Sequence, residues 1–249
     1  MGKRERLLAL AFGATLVALG LIWSGPAMAD SVAQFQSSTP PYKLPNGQTW
    51  TDPRGSMPNR TGTLVEAKYG PYTVNANSQV HNAINFSAPA PCTNCYVTDI
   101  VPNLIYDGGS PDGHADGTTA NLDSNMMMHH FVLMYPNRTD PVCPSGLDTN
   151  ILGTPYERFF AAGNERSEVH LPTPYGYQSS SSTYALIYHL VNKDPTQNKK
   201  VSIQVIYRYR SDPPQAQSAK PLWLDIDGCG DSEYTIPTGY SDSTASWSS

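Results

Sequence analysis

Two adjacent histidines, His129 and His130, interrupt an otherwise apolar run from Met126 to Tyr135, MMMHHFVLMY. Imidazole either ligates a metal such as copper or zinc or, when buried, must find a hydrogen-bond partner. On a regular strand successive side chains point to opposite faces. The pair therefore reaches one ion only where a bulge or strong local twist redirects one ring. Met126, Met127, Met128 and Met134 add thioether sulfur, a soft donor for Cu(I), although such density in an apolar strand is the pattern of core packing. His170, in Glu-Val-His-Leu-Pro, reads as a partly exposed histidine at a strand end, while His81 and His114 fall in polar stretches and read as solvated.

Other reactive groups are less organised. The four cysteines, Cys92, Cys95, Cys143 and Cys229, read as two disulfides in an exported chain, with three possible pairings. Cys92 and Cys95 have redox spacing, but that chemistry favours a thiol at a helix N-terminus. Here Pro91 precedes the pair and the strand-like YVTDIV follows. A zinc site would want a second closely spaced pair. Asp112-x-His114-x-Asp116-Gly117 has part of a calcium-loop spacing without an oxygen ligand at its far end, and reads as a solvated loop. Glu165 and Glu168 beside Arg166 read as a polar turn rather than an acid/base pair. No Ser-His-Asp arrangement and no glycine-rich phosphate loop stands out.

The elements that position these groups read as strands. The opening thirty residues have a secretory pattern: Lys3, Arg4 and Arg6, a long apolar stretch, and Ala27-Met28-Ala29 before the cleavage point. The apolar stretch is nearly long enough for an anchor, but the Ala-x-Ala ending favours cleavage after residue 29. Cleavage takes the formal net charge from −5 to −7, which suits an exported, secreted or periplasmic protein with no membrane contact afterwards. Sparse charge, 15% of residues, and no basic cluster beyond the start argue against nucleic acid. Residues 30–62 read as an extended arm, 63–237 as the domain, and 238–249 as a polar tail or the start of a further domain. GTLVEAKYGPYTVNA, NAINFSAPA and CYVTDIVPNLIY are turn-bounded strand candidates. VSIQVIYRYR alternates, with Ser202, Gln204, Arg208 and Arg210 on a wet face interrupted by Ile206. YALIYHLVN, 184–192, precedes it across a turn-rich link, and the two read as an antiparallel hairpin. With 22 prolines and no convincing helix after the leader, the fold class is all-β, an antiparallel β-sandwich or jelly roll.

A larger pattern joins these pieces. Met128-His129-His130-Phe131 is followed by Leu171, Pro172 and Gly176, and then by Tyr184, Leu186 and His189 in a Tyr-x-Leu-x-x-His strand. Over residues 126–192 this resembles the first copper domain of the ascorbate-dependent type II copper monooxygenases, the peptidylglycine- and dopamine-hydroxylating enzymes. HHFVLM and PLWLDIDGCGDSEY are also similar to secreted stress-up-regulated nodulin-like proteins. The resemblance implies a copper site of His129, His130 and His189, a small reductant such as ascorbate, and an electron-relay role. Three imidazoles suit both oxidation states of copper and leave positions for exchange; zinc with three histidines and a water satisfies the same ligand type. His170 would be a substitute ligand at most.

The same resemblance implies a second, oxygen-binding copper held by a His-x-His motif and a methionine. No histidine follows His189 and no methionine follows Met134, so that centre is not expected from the later part of this sequence. Either the sequence is the front of a longer protein, or the domain keeps a copper site without hydroxylation. A second reading is a secreted binding module with structural histidines, using exposed tyrosines such as Tyr175 and Tyr177. Asn59, Asn85 and Asn137 are glycosylation sequons where the host modifies its exports.

Overall fold

Eleven strands make up the computed structural model, which describes residues 30–143, 155–211 and 216–223. In chain order they are β1 (Ser31–Gln34), β2 (Thr63–Val74), β3 (Ser78–Pro89), β4 (Cys95–Tyr106), β5 (Met126–Pro136) and β6 (Tyr156–Gly163). They continue as β7 (Val169–His170), β8 (Tyr175–Ser179), β9 (Thr183–Asn192), β10 (Lys199–Ser211) and β11 (Gln217–Ser218). One 3-10 turn, Leu122–Ser124, is the sole helical element among the described residues. No helix among them is long and apolar enough to cross a membrane.

A seven-stranded sheet runs β1-β2-β10-β4-β8-β11, with β7 also on β4, and a four-stranded sheet runs β3-β9-β5-β6. Among the described residues only β8 and β11 pair in parallel. The two sheets form an all-β sandwich, as the alternation requires: residues i and i+2 of each strand share a face, and one face is apolar. Val201, Ile203, Val205 and Tyr207 from β10 meet Tyr184, Leu186 and Leu190 from β9 in one buried core. Each such side chain contributes about 1.5–3 kcal/mol on burial. Met126 and Met128 lie in that core and Met134 is also buried, which gives these three methionines a packing role.

The expected hairpin of residues 184–192 with 201–210 is not formed. β9 pairs with β3 and β5, whereas β10 pairs with β2 and β4. The link between them crosses the sandwich. Asn192, buried at its start, donates its amide to the carbonyls of Val74, Asn75 and Gln197 at 3.1, 3.1 and 2.8 Å. The Asp194 carboxylate accepts the backbone N–H groups of Thr196 and Gln197. These bonds satisfy the polar backbone of a turn between layers, and the two apolar faces meet across the core instead of lying side by side.

The outer face of β10 is not wet either. Phe35, Tyr42, Leu44 and Trp50, from residues 30–62, pack with Leu64, Val101 and Ile206 in a second apolar cluster. Ile206 breaks the polar alternation of β10 because the N-terminal segment covers it. Arg208 beneath that segment is fully buried and donates to the carbonyls of Pro58, at 3.2 Å, and Arg60. Of the four cysteines, Cys92 and Cys95 are bonded to each other at the start of β4. Cys143 is also disulfide-bonded, and Cys229 lies outside the described residues.

Candidate metal centre

The outer face of the four-stranded sheet is organised around His189. β9 lies between β3 and β5. Its register with β5 runs Met128↔Leu190 and then His130↔His189, leaving His129 as one extra residue. Its register with β3 runs Val80↔Leu190 and then Ala83↔Tyr188, so His81 and Asn82 together oppose His189. Both neighbours of β9 therefore bulge at the same level, an irregularity that breaks strict alternation and re-aims side chains. On either side of the bulges Met128, Phe131, Val80 and Ala83 turn toward the core. The residues between them, His129-His130 and His81-Asn82, turn outward as pairs. Asn82 has a φ of 45°, a left-handed conformation that asparagine tolerates better than most residues.

Three rings converge. One nitrogen from each of His129, His130 and His189 lies within 4.8 Å of the others. The Nδ1 atoms of His129 and His130 are 3.0 Å apart, and the His129 and His189 ring centroids are 4.5 Å apart. Two of the remaining nitrogens have amide partners. Nε2 of His130 donates to the Asn82 carbonyl oxygen at 3.0 Å, and Nε2 of His189 donates to that of Gln79 at 2.9 Å. This assignment places the lone pair of each ring on Nδ1, within the cluster. Burial, followed by the neighbouring His129, His81 and His130, pushes His189 from the ordinary 6.5 down to about 4. Burial, then His129 and His81, also lowers His130. At neutral pH both rings are uncharged, the form a metal requires.

The adjoining strand accommodates the bulge through Gly163, which faces His130 from β6. A Cβ at this glycine would stand 2.6 Å from the His129 carbonyl oxygen. Its N–H donates to the Glu165 carboxylate at 2.7 Å. Glu165 thus closes the turn after β6, and Arg166 ties that turn to Asn103 and to the Ala120 carbonyl. These residues anchor a packed loop, more than the solvated turn expected from their polarity.

The group contains three imidazoles and no carboxylate, a donor set that fits copper in either oxidation state, and equally zinc. The three histidines singled out by sequence come together. His170 does not join them. It lies on β7 in the other sheet, with Nδ1 2.8 Å from Asp99 and Nε2 3.0 Å from Glu168. Ser56 Oγ is 3.2 Å from the same Nε2, so the fold brings Ser, His and Asp into line where the sequence suggested no such set. Ser56 also bonds the Glu168 carboxylate. A carboxylate beside that hydroxyl is opposite in charge to the donors acyl transfer needs. Arg60 and Arg208 complete the cluster around buried Asp99, at 2.6 and 3.3 Å.

His81, read as a solvated residue of a polar loop, is exposed as expected but lies on β3, with its ring centroid 4.6 Å from that of His189. Gln79 and Asn82 were also missed. The readable signal was a polar pair, His81-Asn82, set between Val80 and Ala83 as His129-His130 is set between Met128 and Phe131. His114 stacks on Tyr106 at 4.1 Å. Asp112 is neutralised by Lys199, which also bonds Asp194 at 3.0 Å. Tyr177 is buried against Phe159, leaving Tyr175 exposed.

Two curated fungal proteins are distantly similar to this chain. "Probable copper-dependent oxygenase M1" of a Phoma species is 25% identical over 176 residues, 68% of this chain and 42% of that protein. "Probable copper-dependent oxygenase clz3" of Cochliobolus lunatus is 24% identical over 132 residues, 48% of this chain and 38% of that protein. The chain thus spans about two fifths of the length of the curated relatives it matches. No protein-family model and no solved structure matches it. These distant homologues suggest a copper-oxygenase-like family, and the histidine cluster is a place where a metal could sit.

Proposed function

We propose that this chain is an exported copper-binding domain, held by His129, His130 and His189, that relays single electrons in a monooxygenase-like system. The observation that carries this reading is the extra residue in β5, which turns both members of the histidine pair outward beside His189. The likeness to proteins named as copper-dependent oxygenases supports the choice of copper over zinc. Copper bound there would supply a one-electron couple with a coordination position left open.

The residues of the chain have separable tasks in this reading. Gln79 and Asn82 hold the Nε2 protons of His189 and His130, and so aim each Nδ1 lone pair inward. His189 is buried and sets the depth of the site, whereas His129 is exposed and gives a reductant such as ascorbate, or a partner domain, access. The proposal concerns this one centre. Titrating the purified protein with Cu(II) and recording its paramagnetic spectrum tests it. One nitrogen-ligated copper per chain is expected, abolished by His189→Ala. A wild-type spectrum without nitrogen ligation, or one unchanged by the replacement, would overturn the assignment.

A further inference from the structure

We infer that His81 is a fourth imidazole ligand for a divalent copper ion held by His129, His130 and His189. The inference rests on the copper reading above and adds a residue that neither the sequence motif nor the convergent trio contains. His81 comes from the opposite neighbour of β9, carried outward by the second bulge. Its ring stands edge-on to His189, with centroids 4.6 Å apart at an interplanar angle of 72°. It is exposed, and no hydrogen bond holds it among the described residues, whereas His130 and His189 are each fixed by an amide.

Chemistry explains why a fourth, movable ring belongs there. Cu(II) favours tetragonal sets of nitrogen and oxygen donors, and the trio supplies three. An exposed side chain changes rotamer in picoseconds to nanoseconds, so His81 can swing to an ion the trio has captured without moving the sheet. The bulge is what makes this reach available. On a regular β3, position 81 or 82 alone would share the face of His189, and Asn82 is already committed to His130. The outward pairing leaves one side chain to orient His130 and the other free to bind. β3 thereby contributes two different services from consecutive residues.

The test compares the wild-type chain, His81→Ala and His189→Ala, each given one equivalent of Cu(II). Nitrogen modulation of the electron spin echo counts coupled imidazoles, and chelator competition measures affinity. Four coupled imidazoles are expected in the wild type and three in His81→Ala, with Cu(II) affinity falling tenfold or more. The exposure of His81 makes the metal-free melting temperature a control, expected to stay within about 2 °C. Identical imidazole counts and affinities in wild type and His81→Ala would overturn this inference alone, provided His189→Ala abolishes the signal. A wild type without nitrogen-ligated copper would overturn it together with the proposed function.

Discussion

Two histidine clusters sit on opposite sheets, and their surroundings separate their uses. His170 is bracketed by Asp99 and Glu168, with Arg60 and Arg208 close behind. Both of its ring nitrogens face carboxylates, which occupy the positions an ion would need. His189 is bracketed by imidazoles and the neutral amide of Gln79. Its neighbours depress its proton affinity and leave lone pairs converging. One cluster is an ion-paired clamp that pins the N-terminal segment to the larger sheet. The other is a group of imidazoles that could hold a metal, with no carboxylate among them. A histidine is therefore best classified by the groups that face it, because opposite charge consumes its nitrogens while like neighbours keep them available.

The largest effect is expected at the clamp. Asp99→Ala strands the fully buried Arg208 and removes the partner of Arg60, costing about 3–5 kcal/mol. Denaturant unfolding reads that loss, while copper affinity of the folded variant should stay within about twofold of wild type. An equal loss of copper binding would merge the two clusters into one network. Gly163→Val drives a side chain into the His129 carbonyl, an overpacking cost of about 1–3 kcal/mol. Because the strain falls on the bulge, copper affinity should drop tenfold or more, measured by competition titration; unchanged affinity would mean the bulge does not aim His129.

Smaller effects sharpen the contrast. Gln79→Ala and Asn82→Ala remove the amides that orient His189 and His130, and each should weaken copper binding about tenfold with little change in unfolding midpoint. Full affinity would show that the rings need no outer support. A last contrast is in pH. An unfolded histidine takes a proton below about 6.5, whereas His189 in the folded protein resists until about 4. Stability of the metal-free protein is thus complete above the higher value and declines as pH falls toward the lower one. His189→Ala should flatten that slope in chemical denaturation between those limits.

Much of this molecule was readable from pattern alone. Alternation and turn residues marked the strands that became β2, β3, β4, β5, β9 and β10, and the Tyr-x-Leu-x-x-His spacing picked out His189. Pairing was not readable. β9 and β10 adjoin in sequence, and nothing local distinguishes a hairpin from a crossing between layers until the Asn192 amide is seen to satisfy three carbonyls of the turn. The buried Arg208 looked like a surface residue because its cover comes from residues some 150 positions away. His81 escaped notice because a polar pair at a strand start resembles a loop. Its meaning depends on the register of a partner strand, and register is a long-range property.

The two bulges make this site a matter of counting. Pleat parity inverts at each inserted residue, so the outward stance of the rings depends on how many residues lie between fixed core positions such as Met128 and Phe131. Indels should consequently be far more harmful inside 79–83 and 127–131 than in the links joining the strands. Related chains that keep the centre should hold those two intervals constant while the connecting segments drift in length. An aligned relative with all the rings but one residue fewer in either interval would have to build its site by some other geometry.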